Sequence, residues 1–195
     1  AIGSHCTGRG RVVEDDVVFI LGTGTIGSII LQTCKAKGCK TVICCDISDS
    51  SLERAKEYGA DYVINSKTQD VVAEIQKITD GHGCTVAFDS ACFPGSLTMC
   101  LQPGILCNAG RMVPMGFCTE KEGITQAMIN QRELDIIGSR MSQDAFEPTI
   151  ARMEKGEYIT EGIATTFIKF SEIDKVSHLM DHPDESAKKM VILFD

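Results

Sequence analysis

Five apolar residues, Val17-Val18-Phe19-Ile20-Leu21, run straight into Gly22-Thr23-Gly24-Thr25-Ile26-Gly27. This junction limits the chain's folds more than any other stretch. An uninterrupted apolar run of that length reads as a strand buried on both faces. Ile26, Ile29, Ile30 and Cys34 then recur at helical spacing and predict a helix over Ile26–Lys37, ended by Gly38. A G-x-G-x-x-G pattern alone is a weak signal, but between a strand and a helix each glycine has a physical reason. Gly22 permits the tight turn. Gly24 lets the backbone approach a pyrophosphate, and Gly27 lets the helix pack closely on the strand. The helix N-terminus adds free N–H groups and a positive dipole end for phosphates. Asp46 ends the next apolar run about 20 residues on, where a carboxylate accepts hydrogen bonds from a ribose. The alternative for Asp46 is to cap the following helix. Gly22, Gly24, Thr25, Ile26, Gly27, Asp46 and Ile47 are therefore the candidate dinucleotide contacts. A carboxylate at 46 repels a 2′-phosphate, so NAD is expected over NADP.

The rest of the chain repeats the alternation. Strands are expected at Thr41–Cys45, Tyr62–Ile64, Thr85–Phe88, Arg111–Met115 and Leu134–Ile137. Helices are expected at Asp49–Tyr58, Asp70–Ile78, Gly95–Leu101, Ile124–Asn130 and Ala145–Glu154. Strands alternating with helices predict an α/β fold with a doubly wound parallel sheet of Rossmann type, in the order 3-2-1-4-5-6. Residues 1–157 form this domain. A tail, 158–195, carries two further strands, Ile163–Phe167 and Met190–Phe194, around a helix over Glu172–Met180.

Charge and composition narrow the partners. A formal charge of −8 over 195 residues argues against nucleic acid, whose phosphates need clustered Lys and Arg. No apolar stretch approaches the roughly 20 residues of a membrane span, and the first residues have no signal-peptide pattern, so a cytoplasmic protein is expected. The ten cysteines form no C-x-x-C pair and read as buried thiols in a reducing compartment, with no metal ligands among them. Tyr58, Tyr62 and Tyr158 are followed four residues on by Tyr62, Ser66 and Gly162. The Y-x-x-x-K of short-chain dehydrogenases is thus missing.

Several longer stretches resemble the medium-chain, zinc-type alcohol, polyol and threonine dehydrogenases. Val12–Val18 is similar to that family's entry into its first strand. Glu53–Asn65, ERAKEYGADYVIN, resembles its second-helix-to-third-strand signature. Gly138-Ser139-Arg140 resembles the polyol and sugar-acid branch, and Lys188–Phe194 looks like the family's C-terminus. The resemblance implies further cofactor contacts at Ser90, Ala91, Met115, Gly116, Phe117, Ser139 and Arg140. It implies an alcohol-oxidising, NAD-dependent enzyme acting on a small molecule as a homo-oligomer, a dimer or tetramer. Ser51 stands where many relatives carry Arg or Lys, with Arg54 the expected substitute. His5 falls on the helix joining the family's two domains.

The family's zinc sites lie in an N-terminal domain that this sequence does not include. Zinc is therefore expected only there. The stretch is expected to bind cofactor without turning over substrate alone, and its tail strands to lack their natural neighbours. The alternatives are a zinc-free quinone-reductase relative and a stand-alone NAD-binding sensor domain.

Overall fold

A helix precedes the first strand. Ile2–Arg9 (α1) buries Gly3, Cys6 and Thr7 and packs tightly on the later helix that follows the glycine turn. A side chain at Gly3 would stand 2.7 Å from Ile29, so the two helices meet at a glycine. The computed structural model describes residues 1–182 and 189–194; Lys188 of the C-terminal signature lies outside them.

Six parallel strands then follow: β1 (Val17–Leu21), β2 (Thr41–Asp46), β3 (Tyr62–Asn65), β4 (Cys84–Asp89), β5 (Leu106–Pro114) and β6 (Asp135–Ile136). Their order is β3-β2-β1-β4-β5-β6, as expected. Side chains alternate across the pleat. Val18 and Ile20, Val42 and Cys44, and Val86 and Phe88 enter one core with Cys6, Ile30, Leu31, Cys34 and Ala55. Phe19 and Leu21, Ile43 and Cys45, and Ala87 enter the other with Val71, Ile75, Cys100 and Leu101. Both faces are covered, which is why these strands carry unbroken apolar runs.

The helices of the two layers are α2 (Thr25–Ala36), α3 (Asp49–Glu57), α4 (Val71–Ile78), α5 (Ser96–Cys100), α6 (Gln126–Asn130) and α7 (Phe146–Glu154). Ser48 caps α3, its side chain accepting from Ser51 N, and Asp70 caps α4 through Ala73 N at 3.1 Å. Burial pushes the thiols of Cys6, Cys45 and Cys84 up to about 12, so they sit in the core as neutral, inert groups.

Three boundaries differ from expectation by more than two residues. Strand β5 starts at Leu106, five residues early, because its register against β4 jumps from Cys84↔Leu106 to Val86↔Arg111. The residues between include Ala109 at φ 55°, an irregularity that reads as a turn in sequence. The first tail strand, β7, is Thr166–Lys169, and the tail helix, α8, starts at Lys175 after a 3-10 turn at Phe170–Glu172. The tail strands also do not stand alone. β7 pairs in parallel with β8 (Met190–Leu193), forming a two-stranded sheet of their own. Phe167 and Phe194 are 60% and 76% exposed, and Phe194 stacks on Phe170 with ring centres 5.0 Å apart.

Between the main sheet and this tail, residues 158–162 lie clamped on α2 and α3. Gln32 exchanges two hydrogen bonds with the backbone of Ile159, Tyr158 meets Thr33 at 3.1 Å, and the Tyr58 hydroxyl donates to Glu161 O at 2.6 Å. No helix among the described residues is long and apolar enough to cross a membrane.

Candidate functional site

The order of the sheet reverses between β1 and β4, where open α/β sheets leave a crevice at the strands' carboxyl ends. The glycine turn fills that position. Gly22 has φ 89° and donates its N–H to Cys45 O at 2.7 Å. A Cβ on Gly22 would stand 2.8 Å from Ala91 N, and one on Gly27 would stand 1.9 Å from Gly22 O. Packing within the fold therefore accounts for glycine at both positions. Gly24 is different. Its φ of −65° suits any residue, and a Cβ there would meet nothing within 4 Å. Open space lies beside it at the N-terminus of α2, where Gly24 brings no side chain to cap the helix.

The ends of β1, β2 and β4 enclose a cleft of about 390 Å³. Leu21, Gly22 and Gly24 form one wall, Cys45, Asp46 and Ile47 a second, and Ser90, Ala91 and Phe93 a third, with Ser66 beyond β3. Six of the expected contacts thus gather in one place: Gly22, Gly24, Asp46, Ile47, Ser90 and Ala91. Ser90 supports the turn. Its hydroxyl donates to Gly22 O at 2.6 Å, and its N–H donates to Leu21 O at 2.9 Å. Thr25 and Ile26 form the first turn of α2, where Ile26 packs against the core. Phe93 and Ser66 escaped the sequence reading. The available signal for Phe93 was an aromatic residue just past a strand end, and it is 43% exposed on the cleft.

Asp46 holds the second strand's end. Its Oδ2 accepts from Thr23 N at 2.7 Å and Thr23 Oγ1 at 2.8 Å, and its Oδ1 accepts from Ile47 N at 2.8 Å and Ser48 N at 3.0 Å. It supports the start of α3 from within an Asx turn, while the Ser48 side chain forms the cap itself. Arg54, the expected substitute near an adenosine, does not line the cleft. Its guanidinium donates to Gly162 O at 3.2 Å, and Ser51 is buried.

The remaining expected contacts lie past β5 and β6 and do not line the cleft. Met115 N donates to Asp89 O at 2.9 Å. Gly116 is pressed against Cys92, whose sulfur would be 2.0 Å from an added Cβ. The Arg140 guanidinium stacks over Phe117, 4.8 Å from the ring centre. Ser139 Oγ is buried and has no hydrogen-bond partner among the described residues.

The loop after Phe117 is tied to α5 by Glu122, which accepts from Thr98 N at 2.6 Å and Thr98 Oγ1 at 2.7 Å. Burial works to raise the Glu122 carboxyl, but the Thr98 hydroxyl and the N–H groups around it outweigh this, and its pKa lies below the usual value. A lowered folded-state pKa contributes stability above the unfolded pKa that is lost as pH falls through the folded one. Glu122→Gln is therefore expected to melt below the parent at neutral pH, with the gap closing from about pH 5 downward. A gap that widens on acidification would contradict the assignment.

A larger hollow of about 520 Å³ lies elsewhere, between α1, the end of β6 and the approach to α7, beside His5, Arg9 and Arg11. It has no glycine cradle. Among the described residues, no three His, Cys, Asp or Glu side chains gather as a metal ion would need.

Known proteins share this arrangement. The sequence profile described as zinc-binding dehydrogenase matches residues 25–155. The starvation-sensing protein RspB of Escherichia coli K12 is 33% identical over 99% of this chain and 56% of its own length. The (R,R)-butanediol dehydrogenase of Neisseria gonorrhoeae is 28% identical over 98% of this chain and 54% of its own. A solved structure of RspB from E. coli CFT073, described as a short chain alcohol dehydrogenase complexed with NADH, superposes with a TM-score of 0.89 at 32% identity. It covers 99% of this chain and 56% of that one. The chain spans about half the length of the relatives it matches.

Proposed function

The chain belongs to the zinc-binding dehydrogenase family, and from that premise we propose that it is the NAD-binding part of a dehydrogenase. The substrate class is a secondary alcohol of a polyol, a sugar acid or a hydroxy amino acid such as threonine. The observation that carries the cofactor reading is the open space at Gly24. The fold gives no packing reason for glycine there, while a pyrophosphate approaching the N-terminus of α2 does. The NADH bound to the RspB relative and the butanediol dehydrogenase activity of another support the reading.

In it, Gly22, Gly24, Thr25, Ile26 and Gly27 hold the pyrophosphate, and Asp46 with Ile47 receives the adenosine ribose. Ser90, Ala91, Met115, Gly116, Phe117, Ser139 and Arg140 follow towards the nicotinamide, and the unpaired buried hydroxyl of Ser139 supports a further polar partner at that end. NAD would supply the hydride acceptor, and these residues would orient it. Residues 1–157 form the cofactor domain, and 158–195 return to the catalytic domain of a cytoplasmic homo-oligomer. No role is derived for zinc, because no ligand set is present among the described residues.

Calorimetric titration tests the cofactor. NAD is expected to bind at least about tenfold more tightly than NADP, since Asp46 repels a 2′-phosphate. Equal affinity would overturn the ribose assignment, and no binding of either would overturn the cofactor. The name of the RspB relative favours a second reading, an NAD-binding sensor. Reduction of NAD by a polyol in the full-length protein separates the two.

A further inference from the structure

Asp46 has no acceptor site to spare. A carboxylate offers about four lone-pair positions, and four donors already occupy them: Thr23 N, Thr23 Oγ1, Ile47 N and Ser48 N. Three are backbone N–H groups, aimed by the glycine turn and by the turn into α3. The fourth is a hydroxyl on a rotatable side chain. A ribose hydroxyl that donates to Asp46 has to displace one of them, and only Thr23 Oγ1 moves without moving backbone.

Resting on the reading that Asp46 receives the adenosine ribose, we propose that Thr23 is a latch that competes with the ribose for Asp46 Oδ2 and so weakens NAD binding. The latch is a positioning residue. It acts through Asp46, and its hydroxyl is not required to touch the nicotinamide. Thr23 is only 3% exposed. Once released, its hydroxyl therefore has no ready water partner, and an unpaired buried hydroxyl is disfavoured. That penalty is charged against every dinucleotide that uses the ribose contact. A ligand without ribose hydroxyls leaves the latch closed and escapes it.

Thr23→Val tests the idea, because valine keeps the shape, the backbone N–H and the bond from that N–H to Asp46, and removes only the competing hydroxyl. Calorimetry with NAD is expected to give a Kd about tenfold lower than the parent's. The NAD analogue with a 2′,3′-dideoxyadenosine ribose is expected to bind both proteins alike. Thr23→Ser restores the hydroxyl and should return the parent Kd. If Thr23→Val does not fold, Thr23→Ala is held to the same criterion. A parent that binds NAD and a valine variant that binds it equally or more weakly overturns the latch. The same gain for the dideoxy analogue overturns it too. A parent that binds neither nucleotide overturns the cofactor reading itself, and the latch falls with it.

Discussion

Gly27→Ala is expected to destabilise the protein by about 3 kcal/mol and to abolish NAD binding. The added Cβ would stand 1.9 Å from Gly22 O and 2.9 Å from Ser90 Oγ. Gly22 O is backbone, fixed by a turn at φ 89° and by the Ser90 hydroxyl, so it cannot swing aside as a long side chain would. Relief requires α2 to lift from β1 or the turn to open, and either change moves the N–H groups proposed to hold the pyrophosphate. Gly24→Ala is the contrast. Its Cβ meets nothing within 4 Å and its φ is negative, so stability should change by less than about 0.5 kcal/mol while NAD binding is lost. Urea unfolding gives the first quantity and calorimetry the second. A stable Gly24→Ala variant that binds NAD as the parent does would remove the main support for the pyrophosphate site.

Arg111→Met is expected to be the most destabilising change away from the cleft, at about 3–5 kcal/mol. Arg111 pairs with Asp16, which is 5% exposed and also accepts from Val13 N at 2.8 Å and Thr85 Oγ1 at 2.6 Å. The other arm of the guanidinium donates to Gly10 O at 2.9 Å and Arg11 O at 2.8 Å. One side chain on β5 therefore ties the end of α1 to the residue that leads into β1. Removing it leaves the Asp16 carboxylate buried without its cation and two carbonyls without a donor. Adding Asp16→Asn removes the stranded charge, so the double variant should be more stable than Arg111→Met alone. Urea midpoints measure both. A single variant within about 1 kcal/mol of the parent would show that water reaches Asp16.

The sheet order was legible because β1, β2 and β4 are apolar on both faces and end at glycine, aspartate or serine. Composition there reflects burial directly. The first residues of β5 were not legible. Asn108, Ala109 and Gly110 look like a turn, and only the pairing with β4 keeps them in the strand. α1 carries little periodic signal, since Gly3 and the capping Gly10 are set by what they pack against rather than by helix preference, and Gly8 is a poor helix former. At the site, Gly22 and Asp46 were readable from their positions at strand ends, and Ser90 came with the resemblance. Thr23 was not, because its importance lies in a hydrogen bond to a residue 23 positions away. Met115, Phe117, Ser139 and Arg140 were placed by resemblance and strand position, and the sheet sets them two strands or more from the glycine turn.

The clamp on residues 158–162 has a mechanical consequence. Helix α2 begins at the glycine cradle, and two turns later its Gln32 and Thr33 grip Ile159 and Tyr158. At 1.5 Å per residue, only about 10 Å of continuous helix separates the cradle from the root of the tail. A tilt of α2 is thus carried to Ile159 through a single stiff rod, with no loop between to absorb it. Tyr58 and Arg54 anchor the carbonyls of Glu161 and Gly162 on α3 and its C-terminal end. The pivot for any swing of the β7–β8 unit consequently lies beyond Gly162, and the rod that would carry it is rooted at the glycine turn.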